Sequence, residues 1–185
     1  MAPDTFDESG WATGVVSALP MAQSFALLSP DPSSRVDPGR WAHQARTAVR
    51  AVLDLAQPKR YPSATLPLSD VAWLSIVALD DIEERPPTRV RVVTMPLDRA
   101  PDVRAGAAAA AEAIGGAGFD VLVTRGQRLW QVESGVEAGG DERAPLAVAA
   151  VLAAVFLAPI VPPGSGTIFG LKTARLRLEA LGWRV

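Results

Sequence analysis

Arg89-Val90-Arg91-Val92-Val93-Thr94-Met95, closed by Pro96, opens the stretch whose reading decides the fold. It is short and rich in β-branched residues, which favour a pleated strand, and proline stops it. Pro101 suits the first turn of a helix, where its missing N–H costs nothing. Ala105 to Ala113 is almost all alanine, the best helix former, and Gly115, Gly116 and Gly118 end the run. Phe119 to Thr124 alternates as a strand. Arg125-Gly126-Gln127 reads as a turn and Leu129 to Ser134 as the returning strand. In that hairpin Phe119, Val121 and Val123 share a dry face with Trp130 and Val132. Asp120, Thr124, Gln131 and Glu133 lie on the other face with Leu122 and Leu129, making it amphipathic.

Upstream, Trp41 to Gln57 has the clearest helical pattern, with Trp41, Ala45, Ala48, Val49, Val52, Leu53 and Ala56 on one stripe. Val71 to Leu79 is apolar on both alternating faces, as a central strand is. Ser69-Asp70 before it would equally cap a helix. Gly14 to Leu19 and Ser24 to Leu28 are short apolar runs that form a hairpin if both are strands. The prolines and glycine between Ser29 and Gly39 mark a loop, and Pro62 and Pro67 mark another. Met1 to Gly10 is acidic and polar and is expected to be a loose tail, leaving residues 11–185 as one domain.

Downstream, Asp141 is placed to cap a long helix with Pro145 in its first turns. Ala144 to Val161 carries no charge, but Pro159 interrupts it and alanine dominates it. A buried core helix is the expectation over a membrane span. Pro162 to Gly170 is a Gly/Pro loop, and Thr173 to Leu181 a last helix capped by Gly182. The expected class is α+β: a mostly antiparallel sheet of about 5–6 strands covered by 3–4 helices. Two strands and a helix would recur over residues 14–57, 71–117 and 119–158.

Composition excludes several chemistries. The 185 residues are 49% hydrophobic and 21% charged, with a net charge of -2, so nothing global favours nucleic acid or an acidic membrane. There is no cysteine and one histidine, so thiolate chemistry and a multi-histidine metal site within the chain are excluded. The abundance of arginine over lysine, with alanine and valine, is a high-GC bacterial bias. No basic and apolar leader opens the chain, so a cytoplasmic protein is expected.

The motifs carry little chemistry. His43 would share a polar helix face with Arg46, Thr47, Arg50 and Asp54, away from the apolar stripe, where a solvated surface histidine is the expectation over a catalytic base. Asp80, Asp81, Glu83 and Glu84 would gather four carboxylates in one solvated loop, where a magnesium site is the less favoured reading. Gly139-Gly140-Asp141-Glu142-Arg143 resembles the signature of diguanylate cyclases. Arg143 stands where that family has phenylalanine, and the motif precedes an apolar helix, so a helix cap accounts for it better. Neither Ser134 nor Ser165 sits in a nucleophile elbow. Gly164, Ser165, Gly166 and Thr167, with Lys172 and Arg175, form the one candidate ligand site: backbone N–H groups and two cations near a helix start attract an anion. The spacing departs from the phosphate-loop pattern, because Leu171 separates Gly170 from Lys172.

Two functions follow. The first is a non-enzymatic structural, assembly or adaptor protein acting through a protein partner or a homo-oligomer, with no cofactor, catalytic residue or metal. The alternative is a small enzyme or binding protein holding a phosphate-containing ligand near residues 164–175.

Overall fold

A computed structural model describes residues 17–57, 71–164 and 166–185. They form one antiparallel sheet of six strands with five α-helices. The strands are β1 (Ser24–Ser29), β2 (Ala51–Gln57), β3 (Val71–Ala78), β4 (Thr88–Pro96), β5 (Arg128–Glu133) and β6 (Ile160–Val161). Their spatial order is β2-β3-β4-β5-β1-β6. The helices are α1 (Pro38–Val49), α2 (Pro101–Ala113), α3 (Phe119–Arg125), α4 (Ala144–Phe156) and α5 (Leu171–Ala180). The α+β class matches the expectation. A fifth helix appears because Phe119–Arg125 is helical.

That helix is the main correction. Phe119–Thr124 was read as a strand paired with Leu129–Ser134, but β5 pairs with β1 on one side and β4 on the other. Both hydrogen-bonding edges of β5 are filled, so residues 119–124 have no strand to join. Gly115, Gly116 and Gly118 take φ of 78°, 76° and 85° and turn the chain back onto α2. Val123 and part of Phe119 then pack against that helix, and packing overrides the β propensity of the segment. Gly126 joins α3 to β5 at very close quarters, since a Cβ there would lie 2.8 Å from Leu28 Cβ. Both faces of β5 are buried, so the amphipathic outer face expected of a hairpin does not exist.

Helix α1 is shorter than the sequence pattern suggested. Arg50 takes φ 49° and ψ 53°, ending the helix, and Ala51–Gln57 continues as the edge strand β2. Val52 and Leu53 satisfy helical and strand spacing alike, and no glycine or proline marks the change. Asp37 caps the other end, accepting from the Arg40 N–H at 3.0 Å. Val71–Ala78 is a strand, held between β2 and β4 as expected of a doubly apolar run. Of the three expected ββα units, only β3, β4 and α2 follow that order. Of the first unit's expected hairpin, Ser24–Ser29 is a strand, but residues 17–20 are not. Instead the Gln131 side chain accepts from Leu19 N at 2.8 Å and donates to Leu19 O at 2.8 Å, doing the work of a strand neighbour. The expected acidic tail, and the loop with Pro62 and Pro67, lie outside the described residues.

The sheet separates two cores. On one face Leu27, Leu53, Leu74, Ile76, Val92, Trp130 and Val132 meet α1, α4 and α5. On the other Ala26, Leu28, Val93, Met95 and Leu129 meet α2 and α3. Helix α4 is central to the first: every residue but Ala154 and Phe156 is buried. Its alanines let its backbone lie close to α1 and the sheet. The uncharged run therefore serves a core helix, and no helix among the described residues is long and apolar enough to cross a membrane.

A charged clamp closes the carboxy-terminal end. Arg143, ahead of α4, binds Asp141 at 2.6 Å and Asp81 at 2.7 Å, and its guanidinium lies 5.2 Å from the Trp183 ring. Burial acts to raise the Asp141 pKa, but hydrogen bonds from the Arg143 side chain and backbone, with the charges of Arg143 and Arg85, outweigh it and hold it below the usual value. Asp141 is not the expected helix cap, because the N-cap position of α4 is Arg143, without a side-chain cap; Asp141 instead orders the preceding turn by accepting from the Arg143 N–H at 2.9 Å.

Candidate functional site

The C-terminal end of α4 breaks two local preferences at once. Pro159 offers no N–H and pushes Ala158 away from helical geometry, so the helix must stop ahead of it. The stop is made by Leu157 at φ 52° and ψ 40°, a left-handed conformation usually left to glycine. An L-residue there costs on the order of 1–2 kcal/mol relative to the right-handed form. Leu157 is also 79% exposed, so burial of its side chain does not offset the strain. Strain kept at an exposed apolar residue is a reason to look for a role beyond folding.

Leu157 stands between two hollows. The first, of about 370 Å³, is walled by Phe119 and Leu122 of α3, Ala154 of α4, Ala158, and Leu171 at the start of α5. Its lining is mostly apolar, with Gln44 its one polar side chain, and Leu122 on its rim is 36% exposed. Four helices remote in sequence make it, α1 through Gln44, and α3 contributes because it is not a strand. The second hollow, about 360 Å³, lies across Leu157 and is of mixed polar and apolar lining. Trp41 and Phe156 line it with Ser33, Arg35, Asp37 and Arg40. Trp41, Trp130 and Phe156 pack edge-on or stacked, with centroids 4.8–6.0 Å apart, so this side of the site is rigid. Trp130 Nε1 donates to Ser34 Oγ at 3.1 Å, and Arg40 donates to Val155 O at 2.7 Å. Trp41 Nε1 is buried and has no hydrogen-bond partner among the described residues.

The anion residues read from the sequence are only partly gathered. Lys172 and Arg175 share a third hollow, of about 330 Å³, with Leu171, Leu176 and Glu179. Gly164, Gly166 and Thr167 do not line it. Gly164 has φ 64°, and its N–H lies 3.3 Å from Met21 O, so that donor is already engaged. Ser165 lies outside the described residues. Leu171 walls both this hollow and the apolar one, so the two lie side by side. Neither Lys172 nor Arg175 makes an ion pair among the described residues.

The remaining candidates are structural or exposed. His43 is exposed on the outer side of α1. Asp80 pairs with Arg50 at 3.5 Å and Asp81 with Arg143, so two of the four carboxylates hold neighbouring elements. Among the described residues, no three histidines or carboxylates lie close enough to hold a metal ion. Glu133 pairs with Arg91 at 2.9 Å, and Glu137 with Arg89 at 3.5 Å. Comparison with family models, curated proteins and solved structures finds no match to this chain.

Sequence reasoning missed Phe119, Leu122 and Leu157. Only Pro159 signalled the third, because a proline commonly follows a helix cap by one or two residues.

Proposed function

We propose that this protein is a non-enzymatic adaptor or assembly protein that docks a protein partner in the apolar groove beside Leu157. The observation that carries the reading is Leu157 itself, exposed, apolar and held left-handed at the edge of a hollow of about 370 Å³. A large side chain on a rigid rim is what an interface anchor requires, because it loses little freedom on binding. The amphipathic hairpin face read from the sequence is buried, which leaves the groove as the docking surface in this reading. The phosphate-ligand alternative keeps Lys172 and Arg175 as its support.

Sedimentation velocity on the protein and its co-purifying complex from the native host tests the reading. A complex of fixed stoichiometry is expected. Leu157→Asp should release a folded protein from it, because a charge placed at a desolvated anchor weakens binding by about 2 kcal/mol or more. His43→Ala, on the exposed side of α1, should leave the complex intact. A complex indifferent to Leu157→Asp, or a protein that sediments as a free monomer throughout, overturns it.

A further inference from the structure

We infer that the groove receives an acidic–apolar segment of the partner protein, whose large apolar side chain fills the hollow beside Leu157 and whose carboxylate meets Lys172 and Arg175. The inference rests on the docking reading and adds the chemistry of the occupant.

Three observations carry it. The apolar hollow and the cationic hollow share the Leu171 wall, so one short segment can occupy both. Lys172 and Arg175 are exposed at the beginning of α5 and make no ion pair among the described residues. The chain as a whole is slightly acidic at -2, whereas in this hollow the two cations outnumber the one carboxylate, Glu179. Apolar contact supplies affinity, and complementary charge sets register and excludes wrong partners. A segment with basic residues at the same position meets like charge and is rejected. The two functions suggested by the sequence then meet in one site: the anion is a side-chain carboxylate carried by the protein partner.

The test uses a displayed library of random 12-residue peptides selected on the full chain, followed by fluorescence anisotropy with the labelled winners. Expected winners pair a large apolar residue with aspartate or glutamate. Their affinity should fall at least tenfold on Leu157→Asp and at least tenfold on the double change Lys172→Glu and Arg175→Glu. Replacing the peptide's acidic residue with lysine should restore binding to that double variant, which a merely unfolded variant cannot do. Winners bound equally well by the charge-reversed double variant, yet lost with Leu157→Asp, overturn the acidic occupant and leave the docking reading standing. Winners unaffected by Leu157→Asp overturn both. Self-association broken by Leu157→Asp, with no peptide selected, overturns the inference in favour of a second copy of the chain. A thermal shift with inorganic phosphate that the double change abolishes, again with no peptide selected, overturns it in favour of a phosphate-containing ligand.

Discussion

Leu152→Asp is expected to abolish folding. Leu152 is fully buried in the middle of α4, and the residues on either side, Val151 and Ala153, are buried too. The carboxylate would face the apolar core that α4 shares with α1 and the sheet, with no cation in that core among the described residues to pair it. An uncompensated buried charge costs about 3–5 kcal/mol, and losing the leucine's packing adds about 2–5 kcal/mol. That sum approaches the whole stability of a domain of this kind, roughly 5–15 kcal/mol. Circular dichroism should show little cooperative unfolding left at 25 °C. A variant that melts within a few degrees of the wild type would contradict the placement of α4 in the core.

The second large effect belongs to Trp183→Ala. Trp183 is 1% exposed, although it stands two residues from the end of the sequence given. Its Nε1 donates to Val49 O at 2.8 Å, satisfying a carbonyl left open where α1 ends. Its ring also meets the Arg143 guanidinium, so it joins α1 to the charged clamp ahead of α4. Truncating a buried tryptophan costs about 3–5 kcal/mol. Each kcal/mol is worth about 2–4 °C in a chain of this size, so the melting temperature should fall by about 6–20 °C. Trp183→Phe should recover part of that loss, because it keeps the packing but not the hydrogen bond. A melting temperature unchanged by Trp183→Ala would remove the clamp from the account.

The elements legible in the sequence were those whose signals are local. Pro101, the alanine run and the three glycines bounded α2 without reference to anything distant. The doubly apolar Val71–Ala78 implied neighbours on both sides, and it has them. The uncharged run implied a buried helix, and α4 is one. Where the reading failed, the deciding contact was remote. Phe119–Arg125 has strand composition, but β1 already holds the edge of β5 that it would need, and no residue near 119 announces this. The α1–β2 boundary rests on one left-handed residue, Arg50, whose carbonyl accepts from Leu79 N at 2.8 Å. The groove was invisible for the same reason: α1, α3, the end of α4 and the start of α5 meet only in the fold. Of the anion residues, Lys172 and Arg175 came together because they are one helical turn apart, whereas the glycines belong to a loop that faces elsewhere.

If Leu157 is kept for binding, as proposed, and not for folding, its side chain adds nothing to stability, and unfolding thermodynamics will show this. Calorimetric melting of Leu157→Gly and Leu157→Ala should be compared with the wild type. Glycine relieves the left-handed strain and loses little packing, since the side chain is mostly in solvent. It should therefore stabilise the fold by about 1 kcal/mol, raising the melting temperature by about 2–4 °C. Alanine keeps the strained φ and should leave the melting temperature almost unchanged. Equal and substantial destabilisation by both variants would mean that the Leu157 side chain holds the fold together, and would contradict the claim.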